Sequence, residues 1–148
     1  MSSILILGPH NRNKDIIEYF CSLNINVYCI NSMPNQEEIS RSTHLISNGF
    51  AKKIPKTVLD HFKRFNRINI HSTYLPFGKG IGGALTGLVY PVPLGVTIHI
   101  LEEEFDSGEI IFQKQLKIID MSITQRELYQ TLLDSANNLF LENAWNWL

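Results

Sequence analysis

Cysteine is nearly absent from this chain. Only Cys21 and Cys29 occur, and neither sits at a metal-like spacing. A disulfide framework or a zinc-binding module needs more cysteines at characteristic intervals, so both are excluded. The two thiols read as small buried residues. An excess of either charge is also missing, with 13 Lys and Arg against 14 Asp and Glu and a formal net charge of -1. A phosphate backbone attracts clustered cations, so a strongly basic nucleic-acid binder is excluded. The local cluster Lys52, Lys53, Lys56, Lys63, Arg64 and Arg67 reads as a solvated face around a helix, with one anionic ligand as the alternative. No apolar run is long enough to cross a bilayer, and Met1-Ser2-Ser3 lacks the basic start and cleavage site of a leader. The expectation is a cytoplasmic protein without membrane contact. No repeat, linker, P-loop or Gly-x-Gly-x-x-Gly turn is visible. The composition that remains is 44% hydrophobic over 148 residues. That fits one globular domain, residues 1–148, with one sizeable core.

Patterning predicts alternating strands and helices. Residues 4–7 are a continuous apolar run, as in a strand covered on both faces. Residues 8–13 are polar and turn-rich. Residues 15–23 place Ile16, Ile17, Phe20 and Leu23 on one helical face, and residues 25–30 read as a second strand. A short helix is expected near 36–40, a strand at 44–47, and a helix opened by Pro55 through 56–65. Further strands are expected at 67–71, 95–101 and 110–118. Residues 73–93 hold five of the nine glycines and three of the six prolines, which predicts a long ordered loop with a short helix at 83–88. A last helix starts near Thr124, where Thr124-x-x-Glu127 fits a capping box. Its stripe is Leu128, Leu132, Ala136, Phe140 and Ala144. This order defines an α/β protein with a Rossmann-like, mostly parallel, twisted sheet flanked by helices.

Two polar clusters interrupt the apolar pattern. Asn69 and His71 stand two apart at the carboxyl end of a predicted strand, so their side chains share one face. Sites in open parallel sheets gather beyond those ends. The second cluster runs from His99 through Glu102, Glu103 and Glu104 to Asp106-Ser107-Gly108. There a turn and the strand after it anchor a carboxylate in a loop. A carboxylate beside an imidazole orients the ring and favours its charged form. Singly, each residue fits a bland role as turn former or hydrogen-bonded core residue.

Taken together, three blocks resemble the folate-dependent formyltransferase superfamily. They are Asn69-Ile70-His71-Ser72-Thr73-Tyr74-Leu75-Pro76, then Gly95-Val96-Thr97-Ile98-His99, then Asp106-Ser107-Gly108-Glu109-Ile110-Ile111. The resemblance is strong over residues 46–116. It implies 10-formyltetrahydrofolate as co-substrate, no metal, and a primary amine as acceptor. It implies that Asn69, His71 and Asp106 are catalytic: two hydrogen-bond donors for a tetrahedral oxyanion, and a carboxylate that supports the His71 charge and relays the amine proton. It also implies a pterin held mainly by backbone groups between residues 48–54 and 101–106. That makes Gly49, Phe50, Lys52, Ile54, Leu101, Glu102, Glu103 and Asp106 the folate-binding residues. His99 is expected to support the site or the fold.

The chain departs from the family in two places. One strand–helix unit is abbreviated near residues 31–41, giving a shortened catalytic domain. The block after Leu75-Pro76 reads Phe77-Gly78-Lys79-Gly80 where an Arg-Gly pair is usual. On the acceptor side, Gly8, His10 and Asn11 could offer backbone N–H groups to a phosphate, and Tyr74 and Lys79 flank the altered loop. The Tyr74-Leu75-Pro76 form and the spacing through Thr97 look more like sugar N-formyltransferases, which favours a nucleotide-linked amino sugar over glycinamide ribonucleotide. The absence of excess positive charge lowers the tRNA reading. A formyl-folate hydrolase, a non-catalytic folate or nucleotide-sugar binder, and a small dinucleotide-binding module are the other readings. The aromatic end of the last helix leaves a homodimer open, although docking on its own core is the better expectation.

Overall fold

The structure is a computed structural model that describes residues 1–79, 91–117 and 122–148. Among these, six strands form one sheet: β1 (Ser3–Leu7), β2 (Asn26–Ile30), β3 (His44–Ser47), β4 (Arg67–His71), β5 (Leu94–Ile100) and β6 (Ile110–Leu116). The spatial order is β2-β1-β3-β4-β5-β6. β1 runs parallel to β2 and β3, and β3 runs parallel to β4. β4–β5 and β5–β6 are antiparallel. The expected mostly parallel α/β sheet is present, with an antiparallel edge, a common arrangement in such folds. The short helix expected at 83–88 and residue 118 lie outside the described residues.

Two cores cover the sheet, as the alternation along β1 requires. Ile4 and Ile6 face helices α1 (His10–Ser22) and α4 (Gln125–Trp147), where Ile16, Phe20, Leu128, Leu132, Ala136, Phe140 and Ala144 are buried. The rings of Phe20 and Phe140 pack 5.9 Å apart. Burying each contributes roughly 1.5–3 kcal/mol. Leu5 and Leu7 face the opposite way, onto Ile39 of α2 (Gln36–Ser40), Val58 and Leu59 of α3 (Lys56–Leu59), and Phe62. Thr124 and Glu127 form the expected capping box on α4, and Asn35 with Glu38 forms another on α2.

Three expectations are corrected. Helix α1 begins at His10 rather than near residue 15, behind Pro9 as N-cap. The polar stretch reads as a turn, but Asn13 is fully buried and its amide donates to Pro9 O at 2.9 Å and Asn48 O at 3.2 Å. Tertiary hydrogen bonds, not turn chemistry, satisfy it. Helix α3 covers one turn instead of continuing to residue 65. Lys63 is extended (φ -56°, ψ 147°), which ends helical propagation before the 3-10 turn Arg64–Asn66. Of the cysteines, Cys21 is exposed and Cys29 half-buried. Cys21 follows Phe20 on α1, so it turns outward where Phe20 turns inward.

The end of α4 docks on its own sheet. The Trp147 ring meets Phe140 and His44, and Nε1 donates to Phe65 O at 2.8 Å. No helix among the described residues is long and apolar enough to cross a membrane.

Candidate active site

Strand β4 turns Ile68 and Ile70 into the core and Asn69 and His71 to the other face. The antiparallel register sets His99 opposite Asn69 and Thr97 opposite His71. Directly opposed residues approach closely, and Asn69 Nδ2 lies 3.1 Å from His99 Nε2. On its other side, His99 Nδ1 lies 2.8 Å from Ile100 O. A carbonyl can only accept, so Nδ1 carries the proton and Nε2 accepts from Asn69. That contact fixes which way the Asn69 amide faces and uses one of its two N–H groups.

Asp106 reaches the same place from the β5–β6 connection. The ladder slips register between Ile98 and His99. Ile100 N–H donates to Glu109 O at 2.9 Å, and a Cβ on Gly108 would overlap the Ile100 carbonyl. Glycine is therefore the residue that lets the loop close here. Asp106 has φ 52°, a left-handed conformation that Asp tolerates better than most residues. The turn drives its carboxylate inward, leaving the side chain 5% exposed. Oδ2 is 3.5 Å from His71 Nε2 and Oδ1 is 3.6 Å from His99 Nε2.

His71 Nε2 also faces Gly78 O at 3.4 Å. Two acceptors on one nitrogen favour the neutral tautomer with its proton on Nε2. Burial lowers the His71 pKa most; Asp106 raises it, and the Arg12 charge lowers it further. The net shift is downward from the ordinary imidazole value. Asp106 favours the charged form of His71, as expected of a neighbouring carboxylate, but desolvation of the imidazolium outweighs it.

These side chains line a cavity of about 300 Å³ at the carboxyl ends of the strands, where a ligand site is expected in this architecture. Gly49, Phe50, Lys52 and Ile54 form one wall; Leu101, Glu102, Glu103 and Asp106 form the facing wall. A 3.0 Å ion pair between Lys53 and Glu104 joins the two walls. The rest of the basic cluster is partly neutralised: Lys56 pairs with Asp60, Arg64 with Glu102 and Glu109, and Arg67 with Asp60 and Glu102.

Gly8, His10, Asn11, Tyr74 and Lys79 are not among the residues lining the cavity. Gly8 N–H already donates to Ile30 O at 2.9 Å, so it is not available to a phosphate. His10, Asn11 and Lys79 are exposed, and Tyr74 packs against Gly95. The cavity instead contains Arg12 and Tyr129, which sequence patterning does not single out. The one signal for them is Asn13, an amide on the apolar side of a helix. No group of three or more His, Cys, Asp or Glu able to hold a metal occurs among the described residues.

Residues 35–144 match the family model described as formyl transferase, and the chain belongs to that family. It is 31% identical to the methionyl-tRNA formyltransferase of Fusobacterium nucleatum over 94 residues, which is 63% of this chain and 30% of that protein. It is 32% identical to the chloroplastic phosphoribosylglycinamide formyltransferase of Arabidopsis thaliana over 103 residues, 64% of this chain and 34% of that protein. The matches thus span about a third of these relatives' length. Among solved structures, the formyltransferase PseJ of Anoxybacillus kamchatkensis superposes with a TM-score of 0.90 and 28% identity, covering 99% of this chain and 76% of that one. PseJ was crystallised with UDP-4,6-dideoxy-4-formamido-L-AltNAc and tetrahydrofolate.

Proposed function

We propose that this protein transfers the formyl group of 10-formyltetrahydrofolate to a primary amine, that of a nucleotide-linked amino sugar. The observation that carries the reading is the convergence of Asn69, His71 and Asp106 at the base of one cavity. The amine nitrogen attacks the formyl carbon. The new C–N bond moves the carbonyl electrons onto oxygen, and the free N–H of Asn69 stabilises this oxyanion, joined by the His71 Nε2–H as it turns from Gly78 O to the substrate. Asp106 accepts the proton from the attacking nitrogen and returns it, directly or through water, to N10 of the folate as the C–N10 bond breaks. The products are a formamide and tetrahydrofolate.

The pterin would lie between residues 49–54 and 101–106, with backbone groups as its main partners. The sugar preference is supported by the likeness to PseJ over nearly the whole chain and by the Tyr74-Leu75-Pro76 block. Glycinamide ribonucleotide is the second acceptor to test, as the Arabidopsis relative is named for it. The test is tetrahydrofolate release from 10-formyltetrahydrofolate across a panel of nucleotide-linked amino sugars plus glycinamide ribonucleotide. Release that depends on one amine supports the proposal, and formate release without any amine supports a hydrolase instead.

A further inference from the structure

Arg12 stands on the first turn of α1, half-buried, and shares the cavity with Asn69 and His71. Its position is over-determined. Nε donates to Asn48 Oδ1 at 2.9 Å. Asn48 is itself held, its Nδ2 donating at 2.9 Å to both Asn13 Oδ1 and Asn137 Oδ1. Asn137 Nδ2 closes the circuit by donating to Arg12 O at 2.8 Å. Tyr129 of α4 lines the same cavity beside it. Gly49, at φ 83°, leaves room for the arginine stem, since a Cβ there would press on Arg12 Cδ at 2.7 Å.

Every one of those partners is neutral. Arg41, Arg64 and Arg67 each pair with a carboxylate, whereas no described acidic residue lies within ion-pair distance of Arg12. A cation withdrawn from water without a countercharge is costly, and so rarely retained without use. The guanidinium offers five donors in a fixed fork that matches phosphate and carboxylate oxygens. The contact to Asn48 uses Nε and leaves the two terminal nitrogens of that fork for the cavity.

We infer that Arg12 is an anion-recognition residue, holding a phosphate or carboxylate of a substrate bound in this cavity. The assignment of that substrate rests on the formyl-transfer reading; the binding of an oxyanion does not. Two sources have this chemistry: a phosphate of the acceptor and the glutamyl carboxylate of the folate. An oxyanion seated there also offsets the positive field that Arg12 exerts on His71, which links occupancy to the charge state of the site.

The full chain is titrated calorimetrically with inorganic pyrophosphate, folinic acid, and tetrahydropteroate, which lacks the glutamyl group. In Arg12→Gln, at least one anionic probe should bind about tenfold more weakly or worse, as expected for loss of a charge-assisted pair, and Arg12→Lys should recover part of it. Weakened pyrophosphate with unchanged folinic acid assigns the acceptor phosphate. Weakened folinic acid with unchanged tetrahydropteroate assigns the glutamyl carboxylate. A folded Arg12→Gln that binds pyrophosphate and folinic acid as the parent does overturns the inference. Should that variant not fold, phenylglyoxal modification of the parent protein decides. Protection of Arg12 by pyrophosphate or folinic acid, read by peptide mass spectrometry, supports the inference; no protection by either overturns it. Protection by pyrophosphate in a protein that does not bind folinic acid would uphold the anion site while refuting the folate reading.

Discussion

Asn69 and His99 face each other across the β4–β5 ladder, with the asparagine amide donating to the imidazole at 3.1 Å. Through this bond His99 aims the other Asn69 N–H at the cavity. His99→Ala is expected to lower kcat by about one to two orders of magnitude, less than direct loss of an oxyanion donor. KM for the folate should change by no more than a few-fold. His99→Gln, which keeps an acceptor facing Asn69, should restore part of kcat. An unchanged kcat in His99→Ala would show that Asn69 needs no such support.

Asn69→Ala removes the proposed donor itself. A factor of roughly 10² to 10³ in turnover is expected, with the melting temperature close to that of the parent. Asp106→Asn removes the charge but keeps a residue that tolerates φ 52°, so the fold should survive while proton transfer fails. Near-parent turnover in either variant refutes the roles proposed for these residues.

Gly108→Ala probes the loop rather than the chemistry. Its methyl group would collide with the Ile100 carbonyl, and backbone atoms cannot turn aside as a side chain can. A loss of about 1–3 kcal/mol in urea unfolding is expected, together with weaker folate binding as Asp106 shifts. An unchanged midpoint would mean that the loop relaxes freely.

Stability should fall on acidification through His71. Burial depresses its native pKa below the ordinary imidazole value, so the unfolded chain binds more protons in the window between the native pKa and about 6.5. Stability is therefore full above that window and is lost as pH falls through the native value. His44 is depressed in the same direction, chiefly by burial, and contributes alongside. His71→Gln should reduce the acid-side slope by up to about 1.4 kcal/mol per pH unit. An identical slope in denaturation series from pH 7 to pH 5 would contradict the assigned shift.

Local patterns are legible in the sequence where one periodicity or cap dominates. The strands β1, β3 and β4, the capping box at Thr124 and the α4 stripe are readable because burial on a known period sets them. The grouping of Asn69, His71 and Asp106 follows from block resemblance, and the sheet register brings those three together. Arg12 is not legible, since its place depends on Asn48 and Asn137, which reach it from positions distant in sequence. The start of α1 is hidden for the same reason: its polar first turn is satisfied by residues far along the chain. The sign of the His71 shift is also out of reach, because it needs the balance between burial and a carboxylate whose distance no sequence supplies.

The most direct test of the proposed formyl transfer follows a labelled formyl group. The protein is incubated with 10-formyltetrahydrofolate carrying carbon-13 in the formyl position and with the nucleotide-linked amino sugar that best stimulates tetrahydrofolate release. The product is then read by mass spectrometry and NMR. Formyl transfer predicts the label as a formamide on the sugar nitrogen, formed in step with tetrahydrofolate and greatly reduced in Asn69→Ala. Label recovered only as formate, at a rate indifferent to every amine supplied, would contradict it.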